Sequence, residues 1–424
     1  MWRMNMRHSP AAFDYAQAKR AGRYVVLLAL LVVAIVTAAT PTLEPKAAAD
    51  LSTFLKSAVD RGDVPGVVVA VVNKDGILYN EAFGQSSTTS HRTMTKDTIF
   101  NMASMTKPIT SVAIMMLVDE GKLKLDDDVA RYLPKYKSPV VISKYNDADA
   151  SYETRPAKRP ITIRHLLTHT SGLGYGFANP MLTKIMQKTG KTEMDLPLVF
   201  DPGEGWQYGP STRVLGNVVE AISGQKIDAF LWSRVLEPLG MHDTSYLVPT
   251  TKYSRVVAVN ARGTDGTFAE RPTPATIPAT VQGDGGLYGT ASDYGLFLRM
   301  LLNRGTLGST RILTEKSART MLENHMGNVV VKEMQSANLS LSRNFPVGAG
   351  RDRWGLGFQL AAEKQTNRRS PGSGTWAGIF NTHFFIDPVK EIGVIVMMQT
   401  LPFYDEKSMA VYSGVEEAVY RNLK

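Results

Sequence analysis

The 424-residue sequence contains no cysteine. That absence removes disulfides, thiolate metal sites, a cysteine nucleophile and cysteine lipidation together. It also has no cluster of basic residues interleaved with aromatics, so nucleic-acid binding has no support although the formal charge is +9. There is no Gly-x-Ser-x-Gly elbow, and no His-Glu-x-x-His helix of the metallohydrolase kind. Apolar runs are short. The longest, 24–36, falls below the ~20 residues of a membrane-spanning helix.

That run follows Arg3, Arg7, Lys19, Arg20 and Arg23 and precedes the small residues Thr37-Ala38-Ala39. The order is that of a secretory signal, so residues 1–40 are expected to be a cleaved leader, with an uncleaved N-terminal anchor as the alternative. Export to the periplasm or the medium follows, with membrane attachment only if the segment stays. Residues 1–39 carry five basic groups and one acid, and their removal leaves +5, which says little about partners. The remaining residues, 41–424, are long enough for a large core at 43% hydrophobic content.

Within them, 51–61 reads as a helix, and 66–73 with 76–83 as a β-hairpin. Near the other end, 354–361, 374–387 and 391–399 read as three strands and 406–423 as a closing amphipathic helix. The spacing predicts a mixed α/β (α+β) fold. Its antiparallel sheet comes from both chain ends (about 50–135 and 280–424), with a helical region (about 136–280) inserted and the site in the cleft between them. Residues 136–160 read as a polar loop.

The stretch that organises the chain is Phe100-Asn-Met-Ala-Ser104-Met-Thr-Lys107-Pro108. From Pro108 the sequence is apolar on nearly every face until the stop at Asp119-Glu120-Gly121, which marks a buried helix with proline tolerated in its first turn. Ser104 then stands at the helix entrance, where free backbone N–H groups favour a developing oxyanion, and Lys107 falls on the same face at i, i+3. A bare Ser-x-x-Lys is a weak signal, and Ser223-Gly-Gln-Lys226 provides an internal control. Ser223 closes a helix before Gly224, so its hydroxyl is expected to meet carbonyls.

Other stretches supply context. His165 and His169, at i, i+4, are read as bracing a short helix and the loop ending at Gly172, because a metal site lacks a third ligand. His169 as the base of a Ser-His-Asp triad is the rival. Tyr208 stands in a Gly/Pro-rich turn before a helix expected to be capped by Ser211, so its phenol can project into a cleft. The glycine-dense loop 283–293 lacks a Gly-Lys-Ser/Thr ending and is read as close backbone packing beside the cleft. Gly372-Ser-Gly-Thr-Trp376-Ala377-Gly378-Ile379 opens a strand whose small residues let a substrate lie alongside and whose backbone N–H can face the nucleophile.

Taken in order, Ser104-Met-Thr-Lys107, the His169-Thr-Ser-Gly-Leu loop, Tyr208 before Val-Leu-Gly, Gly285-Gly-Leu with Ala291-Ser-Asp, and the Trp376-Ala-Gly strand resemble the serine β-lactamase-like hydrolases. These comprise class C β-lactamases, DD-peptidases and family VIII carboxylesterases. The resemblance covers about 50–422. It implies that Ser104 is the acylated nucleophile, that Lys107 and Tyr208 move its proton, and that the N–H groups of Ser104 and Ile379 form the oxyanion hole. Trp376, Ala377 and Gly378 would line the substrate, with neither metal nor cofactor.

Two departures separate the branches. Trp376-Ala377-Gly378 stands where lactamases and peptidases usually carry Lys-Thr-Gly, and Pro210 stands where an asparagine commonly follows the tyrosine. Both weaken recognition of a carboxylate-bearing acyl amide. Arg368 and Arg369 are read as a solvated loop pair rather than a replacement charge. The expectation is an acyl-enzyme carboxylesterase for short-chain esters, with weak β-lactam hydrolysis as a side activity. The alternatives are a β-lactamase or D-amino-acid-specific peptidase, or a non-catalytic penicillin-recognising or cell-wall-binding protein. Residues of 175–200 and 325–350 are expected to contribute to the pocket.

Overall fold

The structure is a computed structural model, and it describes residues 41–271 and 281–423. The leader or anchor expected at 1–40 lies outside the described residues. Helix α1 (Pro45–Asp60) leads into strands β1 (Gly66–Asn73), β2 (Ile77–Ser87) and β3 (Arg92–Thr93). The middle of the chain carries helices α2 (Thr106–Asp119), α3 (Ser211–Ser223) and α4 (Ala291–Leu302). It closes with β4 (Arg353–Trp354), β5 (Gln359–Leu360), β6 (Gly374–Gly378), β7 (Thr382–Asp387), β8 (Ile392–Met397) and helix α5 (Glu406–Arg421).

The eight strands form one antiparallel sheet in the order β4-β5-β6-β7-β8-β1-β2-β3, so the two chain ends meet where Val68 lies opposite Met397 and Ala70 opposite Ile395. β1 is apolar at nearly every position because both of its faces are covered. Val68, Ala70 and Val72 face the main core, while Val67, Val69 and Val71 join Phe385, Val394 and Val396 against α1 and α5. The expected sheet from both ends is therefore observed, with two differences in detail.

Five strands of this sheet replace the three expected after residue 350. Gly357 has φ +100, and a Cβ there would lie 2.4 Å from Ser111 Oγ, so the chain breaks as it passes over α2. Asn381 has φ +59 and turns β6 back into β7, its Nδ2 donating to the carbonyls of Thr400 (3.0 Å) and Pro402 (2.9 Å). The second difference is the segment 136–160. It carries a hairpin, Val140–Asn146 with Ser151–Pro156, rather than a polar loop. Ile142, Tyr145 and Tyr152 pack on Leu182 and Ile185 and Val141 enters the main core, while Ser143, Lys144, Asn146, Glu153 and Thr154 are exposed, which is why it read as polar.

Helix α2 runs through the centre, with every residue from Thr106 to Leu117 buried. A helix apolar all round has no solvent face and fixes its neighbours on all sides. It is preceded by a 3₁₀ turn at Ala103–Met105, and Pro108 sits in its first turn as expected.

Candidate active site

The entrance to α2 is held rigidly. Phe100–Asn101 pairs with Tyr288–Gly289, Met102 N–H donates to the Leu287 carbonyl at 2.9 Å, and Asn101 Oδ1 accepts from Ala103 N–H at 3.0 Å. Ala103 has φ +44, a left-handed conformation that a non-glycine residue adopts only when its surroundings impose it. The next residue is Ser104.

Ser104 Oγ accepts two hydrogen bonds, from Lys107 Nζ at 3.1 Å and from the Tyr208 hydroxyl at 2.7 Å. Lys107 is buried and also donates to the Asp284 carbonyl oxygen at 2.7 Å. Its ammonium lies 4.9 Å from the Tyr208 ring centroid and 5.3 Å from that of Tyr175, within cation–π range of both. Serine, lysine and tyrosine, separated by up to 104 residues, thus share one set of hydrogen bonds.

The glycine-dense loop is part of that set, and its acid was missed in the sequence. Asp284 is buried, accepts from Arg213 Nε at 3.1 Å and is hydrogen-bonded by the Tyr175 hydroxyl. Burial, reinforced by the Asp284 carboxylate, pushes the Tyr175 phenol well above its ordinary value, so it stays a donor. Asp284 therefore holds its own backbone carbonyl in place for Lys107. The one acidic residue in a run of glycines was the available signal.

Tyr208 precedes α3, but Ser211 does not cap that helix: Pro210 occupies the cap, and Ser211 Oγ is hydrogen-bonded with Ser171 Oγ at 2.8 Å. The hydroxyl is taken by the His169–Leu173 loop, which fastens that loop beneath Tyr208. His165 braces the preceding short helix by a capping box with Thr162. His169, φ +56, is buried with its ring 5.1 Å from those of Tyr208 and Trp354. Burial, and then the Lys107 charge, hold it well below the usual imidazole value, so it is neutral. Both hydrogen bonds to Ser104 Oγ come from Lys107 and Tyr208, so His169 is packing under the tyrosine and not the base of a triad.

Strand β6 forms the opposite wall. It pairs with β5 only at Gly374 and Thr375, leaving Trp376, Ala377 and Gly378 with a free edge beside Ser104. Trp376 packs on Tyr208 with ring centroids 4.8 Å apart, and its Nε1 approaches the Tyr208 oxygen at 3.4 Å. A Cβ on Gly378 would lie 2.4 Å from the Met102 carbonyl, so glycine lets β6 press on the Ser104 turn and brings Ile379 to the same pocket. The cavity at Ser104 is only about 30 Å³. Besides the residues above it is walled by Phe177, Met334, Ser336, Ser342 and Phe403, which includes both stretches the sequence had assigned without position.

Arg368 and Arg369 are not a solvated pair. Arg369 is partly buried, its side chain 13% exposed, bonded to Glu416 at 2.8 Å and stacked on Phe385 at 4.3 Å, while Arg368 reaches Glu416 at 3.2 Å. Packing of α5 on the sheet face draws them in, which no local pattern announced.

The Beta-lactamase family model matches residues 51–414. The chain belongs to the beta-lactamase family. This family member is 30% identical over 413 residues to esterase EstB of Burkholderia gladioli, covering 88% of this chain and 95% of the esterase. It is 29% identical over 399 residues to lovastatin esterase of Penicillium rubens, covering 88% and 98%. Its fold is that of the LovD6 mutant of simvastatin synthase LovD from Aspergillus terreus, with a TM-score of 0.76 at 24% identity over 89% and 95% of the two chains. The beta-lactamase-family relatives thus include esterases and acyltransferases.

Proposed function

We propose that the protein is a serine hydrolase that cleaves short-chain carboxylic esters through an acyl-enzyme. The observation that carries this reading is the double hydrogen bond on Ser104 Oγ, from Lys107 and Tyr208, facing a small and mostly apolar pocket. Ser104 Oγ attacks the ester carbonyl carbon. Its proton passes to the Tyr208–Lys107 pair and on to the leaving alkoxide, which departs as an alcohol. Water then adds to the acyl carbonyl, Oγ regains the proton and the carboxylic acid leaves.

The N–H groups of Ser104 and Ile379 are the oxyanion donors in this proposal, each contributing ~3 kcal/mol to the transition state. Trp376, Ala377 and Gly378 bind the substrate along the free edge of β6. With Trp376 where a lysine would hold a carboxylate, ester turnover exceeds β-lactam turnover. Transfer of the acyl group to an alcohol instead of water is a second reading, favoured by the tight apolar cavity and consistent with relatives named as acyltransferases. Export through the N-terminal segment is part of the proposal.

The test is hydrolysis of p-nitrophenyl butyrate and of nitrocefin by the full chain, beside Ser104→Ala. Ester turnover at least about 100-fold above nitrocefin, lost in the variant, is the expected result; 100-fold is ~2.7 kcal/mol of transition-state preference. Nitrocefin turnover equal to the ester's would move the protein to the lactamase branch. Turnover of neither would remove the esterase reading.

A further inference from the structure

A second cavity of about 290 Å³ adjoins the first and plays no part in the steps above. It lies on the opposite face of β6, under the first turns of α5. Trp376 and Ala377 line both cavities, so the two meet around the free edge of that strand. Phe345 stands at the junction, its ring 5.4 Å from Phe403 on the Ser104 side and 5.1 Å from Tyr404 on the other. A volume near 300 Å³ holds a small organic group rather than one or two waters.

The chemistry of the wall narrows what fits. Its ions are already paired: Arg369 and Arg368 with Glu416, and Arg351 with Glu363 at 2.8 Å. Asp352 accepts from Gln359 Nε2 at 2.8 Å and from Ala362 N–H at 3.1 Å. An incoming charge would have to break one of these pairs. Among the described residues two neutral atoms in this wall are left over: Gln359 Oε1 and His383 Nε2 lie just behind the cavity surface with no hydrogen-bond partner, and both residues line the cavity. The Gln359 amide is oriented by its own bonds, since Nε2 serves Asp352 and the Val347 carbonyl, so the oxygen faces away from them. Burial, then the nearby Arg369 charge, pull the His383 imidazole down to about 3, so it is neutral. A buried polar atom without a partner carries a desolvation cost that a ligand hydrogen bond relieves.

We infer that this cavity is a subsite for a neutral, hydroxyl-bearing arm of the ester substrate, which passes around the edge of β6 at Ala377 and hydrogen-bonds to Gln359 Oε1 and His383 Nε2. A hydroxyl both donates and accepts, so it satisfies the amide oxygen and either imidazole tautomer. The inference rests on the esterase reading, and it makes the preferred substrates esters of hydroxy acids or of polyols rather than simple alkyl esters.

Two matched pairs test it with the full chain: p-nitrophenyl 6-hydroxyhexanoate against p-nitrophenyl hexanoate, and 1-monobutyrin against propyl butyrate. One pair places the hydroxyl on the acyl side and the other on the alcohol side. In at least one pair the hydroxylated ester has a kcat/KM about tenfold higher, the size of one or two hydrogen bonds. His383→Phe removes Nε2 while keeping the ring packed on Tyr412, and Ala361→Leu fills the cavity. Each reduces that preference to below about threefold and leaves p-nitrophenyl butyrate turnover within about twofold.

Binding is read separately in Ser104→Ala by tryptophan fluorescence, titrating 1,6-hexanediol with 1-hexanol as reference. Saturable hexanediol binding, abolished by adding Ala361→Leu, supports the subsite even where no ester is turned over, an outcome that removes only the esterase reading. Absence of any hydroxyl preference, or a preference unchanged in both variants, together with no saturable binding, overturns the subsite and leaves the esterase reading standing.

Discussion

Two Ser-x-x-Lys stretches in one chain give a comparison in which spacing is held constant. At Ser104–Lys107 the pair opens α2, the lysine is 2% exposed, and a third residue from far away, Tyr208, completes the cluster. At Ser223–Lys226 the pair closes α3. Ser223 Oγ donates to the Val219 carbonyl at 2.7 Å, Gly224 takes φ +71, and the Lys226 side chain is 81% exposed, 3.9 Å from Glu220. The first site offers a hydroxyl to two donors in a narrow pocket; the second uses its hydroxyl to satisfy a helix end. What separates them is the end of the helix they occupy and what the rest of the chain lays over it.

Removing the two serines breaks the comparison most sharply. Ser104→Ala is expected to lower kcat for p-nitrophenyl butyrate by ~10⁴-fold or more, whereas Ser223→Ala leaves it within about twofold. Equal effects in a side-by-side assay would dissolve the distinction. Tyr208→Phe comes next. It keeps the ring against Trp376 and His169 but removes the hydroxyl on Ser104, and ~10²–10⁴-fold loss in kcat with nearly unchanged melting temperature is expected. A loss below threefold would leave Lys107 as the sole proton carrier.

Burial also decides what acid does. In the folded chain His383 titrates at about 3, below the ~6.5 of an exposed imidazole, so between these values the unfolded chain binds the additional proton. The stability from the neutral imidazole is complete above about pH 6.5 and falls by ~1.4 kcal/mol per unit as pH drops toward 3. Urea denaturation at pH 7, 6 and 5 measures the slope, to which the depressed His165, His169 and His325 also contribute, and His383→Phe should lower it by up to ~1.4 kcal/mol per pH unit. The smallest effect belongs to the second motif: Gly224→Ala has free space around the new methyl, so only the left-handed backbone opposes it. About 1 kcal/mol of stability is lost and activity is retained. A larger loss, or a change in kcat, would mean that this helix end communicates with the site.

The parts legible in the sequence were those fixed by local rules. A proline in the first turn and an unbroken apolar run located α2 and with it Ser104 and Lys107, and the apolar run 66–73 paired with a turn located the hairpin of β1 and β2. Tyr208 could be singled out because a glycine- and proline-rich turn precedes a helix. What stayed hidden depends on partners remote in the chain. Asp284 acts through a backbone carbonyl, which no side-chain pattern reports. Arg369 read as surface because nothing local foretells Glu416 and Phe385 around it. The hairpin 140–156 read as a loop because only one of its faces meets Leu182 and Ile185. Ser211 read as a cap because its competing partner, Ser171, lies 40 residues away.

The segment carrying Met334, Ser336, Ser342 and Phe345 spans the mouth of the cleft like a strap. It is tied to the helical side by Ala337 N–H on the Phe177 carbonyl at 2.9 Å and to the sheet side where Arg343 N–H meets the Phe403 carbonyl at 2.8 Å. Met334, Ser336 and Ser342 of this segment line the pocket at Ser104, so its ties, among them Phe403 N–H on the Leu341 carbonyl at 2.9 Å, set the width of that pocket. In the proposed esterase, backbone hydrogen bonds of this segment therefore help decide which acyl groups fit beside the serine.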